Sequence, residues 1–161
     1  MRNNKTSYLT QSAAVAAVYV LLTMLAAAMG LSSGQIQVRF SEALTILPCF
    51  LPAAVPGLFI GCLLSNILSG CVVWDVIFGS LATLLGAVGT RLLRKNRWLA
   101  CLPPILANTV IVPFVLVYAY GVPEGIPYLM LTVGMGEVIS CGILGQLVYS
   151  ALDKHRNTLF K

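Results

Sequence analysis

The chain has 161 residues, 58% of them hydrophobic and only 9% charged, with a mean hydropathy of +0.91. That composition excludes a soluble globular domain and marks an integral membrane protein, one helical bundle with no room for a second domain. The formal charge is +5, but the basic residues flank apolar runs in short blocks without interleaved aromatics, which excludes a nucleic-acid surface.

Apolar segments run over about 8–29, 41–69, 75–93, 98–120 and 127–152, against the ~20 residues a spanning helix needs. In the first, Ala13, Ala14, Ala16 and Ala17 have small-x-x-x-small spacing, which suits packing within the chain or close approach of a partner's helix. Arg2 and Lys5 before a run ending in Ala26-Ala27-Ala28 have the outline of a signal peptide, but the run is long for one and reads as the first helix. The second segment carries Pro48, Pro52 and Pro56, each of which removes a helical hydrogen bond.

Charge decides how that segment is counted. Lys and Arg are enriched in cytoplasmic loops, and nine of the ten basic residues fall in three clusters: Arg2 and Lys5; Arg91, Arg94, Lys95 and Arg97; Lys154, Arg156 and Lys161. With all three clusters cytoplasmic, residues 41–69 cross twice, turning around 52–56. The expected architecture is therefore an all-α integral membrane bundle of six transmembrane helices, about 8–29, 41–52, 56–69, 75–93, 98–120 and 127–152, with both termini cytoplasmic. The second and third helices, at 1.5 Å per residue, fall short of a ~30 Å hydrocarbon core. Short helices are tolerated where they line a protein-enclosed cavity, which places this pair at the binding site.

Gly57, Gly61, Ser65 and Ser69, and likewise Gly79, Ala82, Gly86 and Gly89, form stripes of small residues that read as internal packing seams. Cys49, Cys62, Cys71, Cys101 and Cys141 show neither C-x-x-C nor metal spacing and read as small packing residues.

Ionisable groups in hydrocarbon are costly and usually face a cavity. In this topology Arg39, Glu42 and Asp75 open helices at the outer end, and Asn66 lies within a turn of that end. Asn108 and Glu137 sit roughly 15–18 Å deep at 1.5 Å per residue. Together they outline a polar funnel with an outward mouth. Each has a structural alternative: Asp75 as a helix cap, Arg39 as the ion partner of Glu42 or Asp75, Asn66 and Asn108 as interhelical glue. Glu124, between Pro123 and Gly125, reads as a turn residue. Phe40, Trp74, Phe78, Tyr118, Tyr120 and Tyr128 fall in the outer half, where aromatics form interfacial belts or stack on a planar ligand. The chain has no G-x-x-x-x-G-K-[S/T] and no G-x-S-x-G, and its one histidine, His155, lies in the basic tail. A self-contained ATPase or hydrolase is disfavoured, and no cofactor or metal is indicated.

Several stretches resemble the QueT family, the substrate-capturing S-components of energy-coupling factor (ECF) transporters. They are Gln37-Val-Arg39-Phe-Ser41-Glu42-Ala-Leu, Gly61 to Asn66, Asp75-Val-Ile-Phe-Gly79-Ser-Leu-Ala-Thr83, Pro104-Ile-Leu-Ala-Asn108 and Gly136-Glu137, together spanning nearly the whole chain. The resemblance implies a six-helix S-component in a prokaryotic plasma membrane that captures a 7-deazaguanine queuosine precursor such as preQ0, preQ1 or queuine. It would work with an EcfT-type membrane coupling subunit and two cytoplasmic ATPases, and it directs attention to Ala13 and Ala17 as the coupling face. Arg39, Glu42, Asn66, Asp75, Asn108 and Glu137 are then the expected substrate contacts. A carboxylate of Glu42 or Glu137 would accept from the base edge while Arg39, Asn66 and Asn108 complete the hydrogen bonding. The excess of acidic groups would favour a cationic aminomethyl arm. Loops near 30–38 and 70–74, with Gly30, Gly34 and Gly70, are the expected gates. The competing reading is a small proton-coupled homodimeric exporter with Glu137 as its titrating carboxylate; an intramembrane enzyme ranks third.

Overall fold

A long apolar run free of proline folds as one helix, α1 (Asn4–Ala28). The structure, a computed structural model, describes residues 4–31 and 37–155; Arg2, Gly34, Arg156 and Lys161 lie outside the described residues. After α1 come a 3₁₀ helix (Phe40–Cys49), α2 (Ala54–Leu68), α3 (Val73–Leu92), α4 (Leu102–Tyr120), α5 (Ile126–Glu137), a π-helical segment (Val138–Leu144) and α6 (Gly145–Lys154). Among the described residues there is no strand. Four helices are long and apolar enough to cross a membrane: Lys5–Ala28, Val73–Leu92, Leu99–Tyr120 and Ile126–Lys154, the last comprising α5, the π segment and α6. The shorter apolar helices are Phe40–Cys49 and Ala54–Leu68.

Neighbours in sequence pack as neighbours in space: α1 on α2, α2 on α3, α3 on α4 and α4 on α5. The stripes of small residues set these contacts. A Cβ on Gly57 would meet Ser12 O at 2.7 Å, and one on Gly61 would meet Tyr19 Cβ at 2.7 Å, so the glycines of α2 let α1 lie directly against it. A Cβ on Gly86 would meet Pro104 Cα at 2.7 Å, which makes the other stripe the α3–α4 seam.

The hub is the 3₁₀ helix, which touches α1, α2, α3, α6 and the π segment. Eight of its ten residues are buried, so it runs through the middle of the bundle, not along its surface. The sequence pattern suggests a short α-helix here. Instead, ten residues at the ~2.0 Å rise of a 3₁₀ helix cover about 20 Å, where an α-helix would cover about 15 Å. Prolines explain how it ends. Pro52 lacks the N–H that would serve Pro48 O, and Pro56 lacks the one for Pro52 O. Arg91 Nη1 donates instead to Pro48 O at 2.9 Å, and Val55 N–H donates to Pro52 O at 3.2 Å. Ser12 Oγ donates to Ala53 O at 2.8 Å, tying the turn to α1. Runs of 3₁₀ helix this long are uncommon and often mark a functional element.

Candidate functional site

Side chains three apart eclipse in a 3₁₀ helix, so Glu42, Thr45 and Pro48 fall in one row, with Arg39 in extended backbone immediately before the helix. The chain entering this helix presses against α5. A Cβ on Gly136 would collide with the carbonyl oxygen of Gln37, and only glycine permits that approach. Arg39 N–H then donates to Ser140 Oγ of the π segment at 3.2 Å.

The expected site residues separate into two adjoining layers. The first is a cavity of about 420 Å³ at the end of the bundle opposite Arg91, lined by Arg39, Asn66, Asp75 and Tyr120, with Thr23 and Gln37 among the others. Asp75 is not a helix cap: that position belongs to Val72, and Asp75 Oδ2 accepts from the Tyr120 hydroxyl of α4 at 2.8 Å. Asn66 Nδ2 donates to Asp75 O at 3.3 Å, joining α2 to α3 while still facing the cavity. Gly79 has no side chain in the way, since a Cβ there would stand 3.1 Å from both Asn66 Nδ2 and Asp75 Oδ1. Gly70, at φ +69°, makes the tight turn between α2 and α3 beneath which this layer sits.

The second layer is buried and acidic. Glu42 is 1% exposed and Glu137 8%. The Tyr19 hydroxyl of α1 donates to Glu42 Oε1 at 2.5 Å, while Glu42 Oε2 has no hydrogen-bond partner among the described residues. The thiol of Cys141 donates to Glu137 Oε2 at 3.2 Å and also lies 3.5 Å from Glu42 O. One oxygen from each carboxyl and the Cys141 sulfur all fall within 4.8 Å of one another. Asn108 is buried beside both carboxyls, and the Arg39 guanidinium feels the charge of Glu42 more strongly than that of Asp75. A thiol spent as a donor and a guanidinium alongside make this cluster a poor seat for a divalent metal.

A space of about 20 Å³ lined by Gln37, Arg39, Val112, Val133 and Glu137 lies between the layers, with Gln37, Arg39 and Val112 shared by both cavities. Glu42 and Asn108 line neither cavity. They back Glu137 from behind.

Tyr19 and Cys141 join this cluster without having been singled out by the sequence. A tyrosine midway along an apolar helix needs a partner for its hydroxyl, which was the available signal. Cys141 gave none, because a buried thiol usually only packs. Among the outer aromatics, Tyr120 lines the polar cavity. Trp74, Phe78 and Tyr118 line a separate apolar groove with Phe114, where Trp74 stacks on Phe78 and Phe114 on Tyr118.

Membrane-length apolar helices wrapped around buried carboxylates and a solute-sized polar cavity define a small helical membrane protein with an internal polar site. The chain belongs to the QueT transporter family, whose model matches residues 9–154. Over 85 residues it is 42% identical to the queuosine precursor transporter QueT of Lactococcus lactis subsp. cremoris (strain MG1363), a match covering 53% of this chain and 50% of that protein. The chain thus aligns with about half the length of that curated relative. No solved structure matches it significantly.

Proposed function

We propose that this chain is the substrate-capturing membrane subunit of an ECF-type importer for a 7-deazaguanine queuosine precursor. Six crossings with both termini cytoplasmic put the three basic clusters on one side of the membrane and the 420 Å³ cavity near the other. The single observation that carries the reading is that cavity: Arg39, Asn66 and Asp75, from three separate elements, converge on a space large enough to admit a purine-like base.

In it Asp75 accepts from the N–H edge of the base, Arg39 and Asn66 donate to its ring carbonyl, and the Tyr120 ring lies alongside. Glu137 faces the ligand from the inner space, and Glu42 and Asn108 hold Glu137 in place. This arrangement moves the base edge from Glu42, which lines no cavity, to Asp75. Energy comes from two ATPases acting through an EcfT-type coupling subunit. Ala13 and Ala17 are exposed on α1 and offer that subunit a close helix contact.

The test is equilibrium binding of aminomethyl- and cyano-7-deazaguanine to the purified chain, paired with uptake by cells with and without the coupling module. Binding by the chain alone and uptake only with the module are expected. Failure to bind either base overturns the substrate assignment. Substrate-coupled proton flux by the lone chain in liposomes would favour the exporter instead.

A further inference from the structure

The Glu42–Glu137 pair is unusual in three respects. Both carboxyls are more than nine-tenths buried, their oxygens approach within 4.8 Å, and Glu42 Oε2 has no hydrogen-bond partner among the described residues. The groups facing the pair are few. Tyr19 comes from α1, Arg39 from the entry to the 3₁₀ helix, Cys62 from α2, Asn108 from α4 and Cys141 from the π segment, with Asp75 of α3 acting through Arg39. Among the described residues facing the pair only Arg39 is a cation, and it is shared among three carboxylates. Two carboxylates this close in a buried site do not both ionise.

The small space beside Glu137 adds the second clue. At about 20 Å³ it holds one group the size of water, and an ammonium has that size. It adjoins the larger cavity along Gln37, Arg39 and Val112, so a one-carbon arm on a base seated there can enter it.

We propose that Glu42 and Glu137 share one proton in the empty protein, and that the ammonium of a cationic ligand takes the proton's place while the proton leaves to solvent. The exchange keeps the local charge constant, which a neutral ligand arm cannot do once the proton has gone. The inference rests on the cavity reading above and adds to it the ammonium subsite and its proton linkage.

Infrared spectroscopy of the ligand-free protein in membranes tests the first half. A protonated carboxyl band at neutral pH is expected in the wild type and lost in both Glu42→Gln and Glu137→Gln, because each acid is protonated only through the other. No band in the wild type overturns sharing. So does a band that survives in either variant, since that is a carboxyl protonated by burial alone. Calorimetry in buffers of different ionisation enthalpy tests the second half. Release of about one proton per bound aminomethyl-7-deazaguanine is expected, with none for the cyano analogue and none for either ligand in Glu137→Gln. Equal release with both ligands overturns the ammonium subsite. Binding of neither ligand overturns the substrate assignment and the subsite together, while the infrared band still decides whether the proton is shared.

Discussion

Tyr19→Phe isolates the contact between α1 and the acidic layer. Tyr19 is 1% exposed, and its hydroxyl is the donor to Glu42 Oε1 at 2.5 Å. Phenylalanine keeps the ring and its packing against Gly61, so the change removes one hydrogen bond and adds no bulk. A hydrogen bond to a charged or proton-sharing group is worth about 1.5–3 kcal/mol. The variant removes the hydrogen bond that Glu42 Oε1 accepts and supplies no other donor in its place, which points to the upper part of that range. For a chain of this size each kcal/mol corresponds to ~2–4 °C, so the apparent Tm falls by about 3–12 °C. The assay is thermal unfolding in detergent, followed by far-UV circular dichroism, of the wild type, Tyr19→Phe, Glu42→Gln and the double variant. Groups in direct contact couple, so the double variant costs less than the two singles together, by about 1 kcal/mol. A fall of less than about 1 °C, or strict additivity, refutes the claim that this bond holds the carboxyl in place.

Gly136→Ala pushes the Gln37 carbonyl and with it Arg39 off α5, an overpacking cost of about 1–3 kcal/mol that weakens 7-deazaguanine binding roughly 5- to 150-fold. Gly134→Ala is the control, because its Cβ meets only Thr109 at 3.4 Å and its affinity stays at the wild-type level. Arg91→Ala strips the donor from Pro48 O and lowers stability by about 1.5–3 kcal/mol in the same thermal assay, with Arg91→Lys intermediate. Asp75→Ala and Tyr120→Phe each weaken ligand binding, and their double variant shows less than the sum, because both singles break the same 2.8 Å bond. Ala17→Leu leaves ligand affinity intact and abolishes uptake with the coupling module, since a large side chain blocks close helix approach.

Membrane character, the long apolar helices and the polar residues of interest were legible in the chain because hydrophobic length and isolated charge are one-dimensional signals. The seams were legible for a similar reason: Gly57, Gly61 and Gly86 stand at helical spacing wherever two backbones must approach. How Arg39, Glu42, Asn66, Asp75, Asn108 and Glu137 divide between an open cavity and a buried pair was decided in three dimensions. The division depends on where the 3₁₀ helix begins: Arg39 stands in extended backbone just before it and lines the cavity, while Glu42 in its first turn is buried. That conformation is held by bonds from α1 and α3, through Ser12, Tyr19 and Arg91, and no local sequence rule foretells such distant partners. The chain by itself fixed which side chains are too polar for hydrocarbon; only tertiary packing chose which of them face a cavity and which face each other, because burial is a property of neighbours and not of residues.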